Sequence, residues 1–293
     1  MTTIFTTIID GLSMGSIYAV IALGYTMVYG IAKMLNFAHG DVIMVGAYAG
    51  IIAGTNLLLG SLISIVVAIA ACSLLGFTIE KLAYKPLRGA SSLAVLITAI
   101  GVSQFLQAVA LLVFGSSRLS FPKLIALPTI YLTDTLIISG NSLFTMGISA
   151  IIMIALVLFV KNTQTGRAML AVSEDKNAAR LMGINVNKTI SITFIIGSAL
   201  AAVAGICYGL SYTYIGPTTG AMPGIKAFVA AVIGGIGSIP GAMLGGVILG
   251  LIENFTKVYI STTLSDAVVF GVLIVVLLIK PTGILGKIRQ EKV

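Results

Sequence analysis

The chain has 293 residues, 58% of them hydrophobic and 9% charged, with a mean hydropathy of +1.12 and a formal net charge of +8. Soluble domains carry about 25% charged residues, so this composition excludes a water-soluble globular enzyme and points to a bilayer. The basic excess then reads as membrane topology, because Lys and Arg gather in short cytoplasmic loops, and not as a nucleic-acid surface.

Apolar runs of near-membrane length occupy residues 8–29, 42–59, 62–79, 93–114, 144–160 and 190–214, followed by less regular stretches at 225–255 and 264–279. The first run starts without a basic segment or a small-residue cleavage site, so it reads as a retained helix. Its 22 residues reach roughly 33 Å as a helix, enough for about 30 Å of hydrocarbon. Cys72 and Cys207 fall inside apolar runs and read as small buried hydrophobes, not as a disulfide. In 225–255 the run Gly234-Gly235-Ile236-Gly237-Ser238-Ile239-Pro240-Gly241 interrupts the helix, which predicts two short helices meeting at a turn. Lipid cannot satisfy backbone groups freed there, so protein or water must surround the turn. The expected fold is an all-α polytopic membrane protein of about eight hydrophobic segments, one broken into a short hairpin, with residues 1–293 forming a single transmembrane domain.

Twelve of the 17 basic residues fall in three stretches: Lys81, Lys85 and Arg88; Lys161, Arg167, Lys176, Arg180 and Lys188; and Lys280, Lys287, Arg289 and Lys292. These predict three cytoplasmic segments, an external N-terminus and a cytoplasmic C-terminus. Asp10, Arg118, Lys123, Asp134, Lys226, Glu253, Lys257 and Asp266, whose charges cancel, fall on the other side. Glycines recur at four-residue intervals: Gly11 and Gly15; Gly46, Gly50 and Gly54; Gly205 and Gly209; Gly246 and Gly250. Such ridges let helix backbones approach closely, either within one bundle or at a subunit interface.

Catalytic constellations are poor. His39 is the single histidine, no Cys/His cluster has metal-ligand spacing, and no G-x-x-x-x-G-K-[ST] cradle is present. No enzymatic activity, metal or cofactor is expected. The centres of the apolar runs lack Asp, Glu, Lys and Arg, which disfavours transport energised by a buried carboxylate relay and leaves sodium coupling through carbonyls and hydroxyls open. An energy source on another subunit is the better expectation.

Residues 161–188 form the longest internal hydrophilic segment. With Ser173 as N-cap, a short helix through Met182 would place Glu174 and Asp175 in its first turn, Arg180 near its end and Gly183 at its stop. Its exposed face would offer Ala178, Ala179 and Met182 to a groove on a partner; the alternative is a solvated cytoplasmic loop. Two interrupted regions, Asn36, His39 and Gly40 on one side and Gly237, Ser238 and Gly241 on the other, are the solute-path candidates, since exposed helix ends can meet a polar solute at depth. The alternatives are a simple hairpin reversal and a hydrogen-bonded packing histidine. Tyr18, Tyr25, Phe37 and Tyr48 are expected to pack or to lie at the interface.

Ala178-Ala179-x-x-x-Gly183 between two membrane helices resembles the coupling loop of ATP-binding-cassette importer permeases, with Asn177 where a glutamate is usual. The opening Gly11-Leu12-Ser13-Met14-Gly15-Ser16, the Asn36-Phe37-Ala38-His39-Gly40 motif and Lys226-Ala227-Phe228 followed by residues 233–241 are similar to the branched-chain amino acid permease family, its shorter LivH type in particular. The resemblance implies a permease subunit in the cell membrane that works with a second related permease, two cytoplasmic ATPases and an extracytoplasmic solute-binding protein. It also implies that Glu174, Asp175, Ala178, Ala179, Arg180, Met182 and Gly183 belong to a cytoplasmic coupling helix, and that branched-chain or other aliphatic amino acids are carried by alternating access. Permeases for urea and short amides share these motifs, and an ion-coupled carrier or channel working alone is the reading from outside the family.

Overall fold

The computed structural model describes residues 2–56, 60–125, 128–133 and 136–286. Asp134 and the tail residues Lys287, Arg289 and Lys292 lie outside the described residues. Each apolar run becomes a helix: α1 (Thr2–Ala32), α2 (His39–Ile51), α3 (Ser61–Ile79), α4 (Ser92–Phe114), α5 (Gly140–Asn162), then α6 (Gln164–Glu174) and α7 (Lys176–Leu181) in the hydrophilic segment. After these come α8 (Val186–Tyr212), α9 (Ala221–Gly234), α10 (Ile239–Tyr259) and α11 (Ser265–Ile279). Wider π-turns continue α2 over Ile52–Asn56 and α3 over Glu80–Tyr84. Strands β1 (Leu119–Ser120) and β4 (Tyr214–Ile215) pair antiparallel, and β2 (Ile130–Thr133) and β3 (Leu136–Ile138) form a hairpin. Among the described residues six helices are long and apolar enough to cross a membrane, and the chain is a multi-pass membrane protein.

Burial sorts the helices. Of an 18-residue apolar stretch, 67% is buried in α8 and 56% in α1, but only 22% in α4 and α5, so α1 and α8 form the axis while α4 and α5 leave apolar faces uncovered. Nearly all 13 residues of α2 are buried. This wholly enclosed position allows a first turn carrying His39 and Asp41, which lipid would not tolerate.

Lipid gives no hydrophobic drive between helices, so close backbone packing must supply the association. The glycine ridges do this inside the bundle. A Cβ on Gly15 would stand 2.9 Å from the Val247 backbone, and one on Gly246 or Gly250 would overlap the backbone of Ala19 or Gly15, so α1 and α10 pack backbone to backbone. Gly46 and Gly205 do the same for α2 and α8, against Ala202 and Ile43 respectively, and Gly50 and Gly209 receive the ring of Phe121.

The broken stretch differs from expectation in one respect. α9 is short, 14 residues, but α10 has 21 and is long enough to span. The reversal at residues 235–238 uses Gly235 (φ 106°) and Gly237 (φ 93°), in backbone regions that side-chain-bearing residues avoid. Ser238 Oγ caps α10 by accepting from the Gly241 amide at 3.2 Å, with Pro240 in the first turn, where no amide donor is required. The C-terminal segment closes over this turn: Ile284 N donates to Ile233 O at 2.8 Å and Leu285 N to Gly234 O at 2.9 Å.

Three further links show which helix ends lie together. Lys176 Nζ donates to Ala32 O at the end of α1, Arg88 after α3 bonds Glu80 and Asn187 at the start of α8, and Gly30 abuts Gly237. The described basic residues of the three basic stretches therefore gather at the end of the bundle that carries α6 and α7.

Candidate functional site

The segment between α5 and α8 is built as two helices, not one. Thr163 caps α6, its Oγ1 accepting from Gly166 N at 3.0 Å, and Met169 and Val172 anchor α6 to the bundle with about 1% exposure or less. The expected single helix starting at Ser173 is corrected. Ser173 lies inside α6, and Asp175 is the N-cap of α7, its Oδ1 accepting from Asn177 N at 2.7 Å and Ala178 N at 3.0 Å. Glu174 consequently ends α6. An aspartate two residues before a helix turn competes better for amides than a serine does, since its carboxylate also complements the helix dipole.

The far end of α7 agrees with the glycine stop. Gly183 takes φ 81°, its amide donates to Arg180 O at 3.0 Å, and Ile184 N donates to Ala179 O at 3.0 Å, the paired bonds of a Schellman ending. Leu181 and Met182, 89% and 82% exposed, project with Ala178 from the end of the molecule. Ala179, expected on the exposed face, is buried and holds α7 against the bundle. A helix of six residues that docks on one side and exposes two large apolar side chains has room for only one inward position per turn. Lys176 Nζ donates to the Ala32 carbonyl at the C-terminal end of α1 at 2.8 Å, a favourable site for a cation. Burial first, then the neighbouring Arg88 and Arg180, lower the pKa of Lys176 from the ordinary lysine value.

The two interrupted regions meet in part. Asn36 is buried, its Oδ1 accepting from Tyr84 OH at 2.9 Å, and with Tyr25, Tyr29, Phe228 and Ile236 it lines a cavity of about 10 Å³, roughly one water. Ile236 brings the 235–238 turn to that cavity, and Gly237 lies against Gly30. His39 is 1% exposed, opens α2 and packs its ring edge-to-face on Tyr25 with centroids 4.7 Å apart. Gly40 lets α2 approach Gly220 and Gly224 at the entry to α9, Ser238 caps α10, and Gly241 packs on Gly234. Of the candidates, Asn36 borders that cavity together with Ile236 of the broken stretch.

Sequence reasoning missed a buried ionic cluster. Lys226, Glu253, Lys257 and Asp266, placed by the sequence on the external side near segment ends, lie within α9, α10 and α11. Glu253 is fully buried; it accepts from Lys226 Nζ at 2.8 Å, Lys257 Nζ at 2.6 Å and Tyr18 OH at 2.8 Å, while Lys226 also pairs with Asp266 at 2.6 Å. One carboxylate thus joins α1, α9 and α10, and Lys226 extends the link to α11. The i, i+4 spacing of Glu253 and Lys257 was the available signal. Asp41 is likewise buried in α2, accepting from Gln107 Nε2 of α4 at 2.9 Å. Because the bundle interior holds these charges, the absence of charge from the apolar runs is a weaker argument for an external energy source than the sequence made it.

At the end opposite α7, a pocket of about 300 Å³ opens between α1, α5, α8 and α10. Asp10, Asn141, Tyr212, Asn254 and Lys257 are among its polar lining.

Comparisons with known proteins agree with one another. The family model described as "Branched-chain amino acid transport system / permease component" matches residues 7–277. The chain is 45% identical over 297 residues to the high-affinity branched-chain amino acid transport system permease protein BraD of Pseudomonas aeruginosa, covering 98% of this chain and 97% of that protein. It is 43% identical over 305 residues to the permease protein LivH of the corresponding Escherichia coli system, covering 97% and 96%. With a matching family model along most of its length and such identity from end to end, the chain belongs to the branched-chain amino acid transport system permease family.

Proposed function

We propose that residues 1–293 form a single permease domain in the cell membrane. It is one membrane subunit of an importer that carries branched-chain or other aliphatic amino acids by alternating access, driven by two separate ATPase subunits. The observation that carries this reading is the α6–α7 element: a projection with Leu181 and Met182 exposed, fixed beneath by Met169, Val172 and Ala179, and tied by Lys176 to the end of α1. An exposed apolar pair on a rigid base suits insertion into a partner's groove, and a rigid base transmits displacement to the bundle as a rigid-body motion. Glu174, Asp175, Ala178, Arg180 and Gly183 frame the projection.

On this reading the α7 end faces the cytoplasm, in keeping with its basic residues, and the C-terminus lies there too. A solute-binding protein delivers at the opposite end. The solute path runs beside Asn36 and the 235–238 turn, where the small cavity lies, with His39, Gly40, Gly237, Ser238 and Gly241 shaping the helix ends around it.

A second permease would cover α4. Gln104 stands near the middle of that helix on its exposed face, between the exposed Gly101 and Ala108, and makes no side-chain hydrogen bond among the described residues. An amide facing hydrocarbon is costly, and a partner helix resting on Gly101 would remove that cost; a Cβ at Gly101 meets nothing within 4 Å in this chain.

The test is a reconstituted complex carrying Met182→Asp or Leu181→Asp. Membrane insertion and the melting temperature should be unchanged, because both side chains are exposed, while solute-stimulated ATP hydrolysis falls at least about ten-fold if each apolar anchor contributes on the order of 1–3 kcal/mol. Normal stimulation in both variants would overturn the assignment.

A further inference from the structure

The pocket at the end away from α7 has no part in the coupling element or in the small cavity at Asn36. Its volume of about 300 Å³ is at the lower limit for small-molecule sites, so its natural occupant is small. Its lining divides into three chemistries. On α1, Asp10 and the Ser13 hydroxyl form no hydrogen bond or ion pair among the described residues; Ser13 is only 6% exposed yet borders the pocket. On the other side stand Lys257 and the first turn of α5. Ser139 at the N-cap of that 23-residue helix gives no side-chain cap, and the amides of Gly140, Asn141 and Ser142 have no protein acceptor among the described residues. Lys257 donates to Glu253 and has further donors to offer. Met14, Ile17 and Leu210 supply the apolar part.

Unpaired carboxylate, uncapped helix start with an ammonium group, and an apolar patch are the complements of one kind of molecule. We propose that this pocket binds a small zwitterion bearing an aliphatic side chain, an α-amino acid. Its ammonium lies at Asp10 and Ser13, its carboxylate at Lys257 and the α5 amides, and its side chain on Met14, Ile17 and Leu210. The aliphatic choice rests on the transport reading above; the pairing of charges rests on the pocket alone. The site would hold solute at the mouth of the bundle before it reaches the helix ends near Asn36.

The test uses the purified full chain in lipid nanodiscs titrated with labelled leucine, with 4-methylpentanoate, which lacks the ammonium, and leucinamide, which lacks the carboxylate charge, as competitors. The expected result is saturable leucine binding, with each competitor weaker by about ten-fold or more, the worth of a lost charge-assisted hydrogen bond. Asp10→Asn should weaken leucine by a similar factor and leave 4-methylpentanoate unchanged, and Ser142→Trp, which fills the pocket, should abolish leucine binding. Absence of saturable binding to the unaltered chain overturns the proposal, as does binding to which both competitors are equal to leucine or which both variants leave unchanged. Uptake by vesicles holding the complete complex keeps the two readings apart. Leucine uptake with any of those results overturns the pocket alone, whereas a complex that carries no aliphatic amino acid overturns the transport reading while the competitor series still decides the pocket.

Discussion

Glu253 has no exposed surface and two ammonium groups within 2.8 Å. Glu253 and Lys226 have lost most of their hydration, and only mutual pairing together with the Tyr18 hydroxyl makes that burial tolerable. Removing one member of such a cluster strands the others: Glu253→Gln should destabilise the chain by about 3–5 kcal/mol, seen as a lower melting temperature in detergent. Adding Lys226→Met should recover part of the loss, because the stranded charge leaves with its partner. Equal melting of Glu253→Gln and the unaltered chain would show that water reaches the carboxylate. The cluster also explains a misreading: in one dimension its members sit near the ends of apolar runs, as loop charges do. Only the three-dimensional path carries the ends of α9, α10 and α11 back into the bundle, where those charges must pair.

Among the elements, the α1–α10 pair illustrates how glycine position sets packing. Gly246 meets the Ala19 backbone where a side chain would have to lie, whereas Gly101 on α4 has open space. Overpacking of close-packed sites costs about 1–3 kcal/mol or more. Gly246→Leu is therefore expected to lower the melting temperature sharply or prevent folding, and Gly101→Leu to leave the isolated chain's melting unchanged while weakening its association with a second permease. The spacing of the glycines announced that helices would approach closely, and the structure answered which: the ridges are used on neighbours within the chain. The α6–α7 element was legible in outline, since the hydrophilic segment, the α7 cap residue type and the Gly183 stop were all visible. Its division was not. Ser173 and Asp175 are both acceptable caps, and the choice fell to Asp175 because α6 continues to Glu174 on the anchorage of Met169 and Val172, a tertiary effect.

At the scale of the whole molecule, eight apolar runs and one interruption translate, among the described residues, into nine helices in the bundle with two more at one end, and the basic residues mark that end. If it faces the cytoplasm, a cysteine replacing Arg118 will react with an impermeant maleimide in intact cells, and one replacing Arg180 will react only after the cells are opened. Native Cys72 and Cys207 are buried and provide a silent background. Labelling of both positions from one face would overturn the orientation.

By itself the sequence determined the class of the molecule, the number and approximate bounds of its apolar helices, the place of the reversal at 235–238 and the location of the projecting segment. Those depend on composition and on short-range rules: how many apolar residues cross hydrocarbon, where glycine and proline stop a helix, which side chains cap one. The tertiary structure decided that Ala179 faces inward, that His39 packs on Tyr25 inside the bundle, that Asn36 shares a cavity with Ile236, and that four charges spread over three helices form one cluster around the buried Glu253. Each of these depends on which faces of distant helices meet, and that is set by the summed packing of the whole bundle, which no local pattern records.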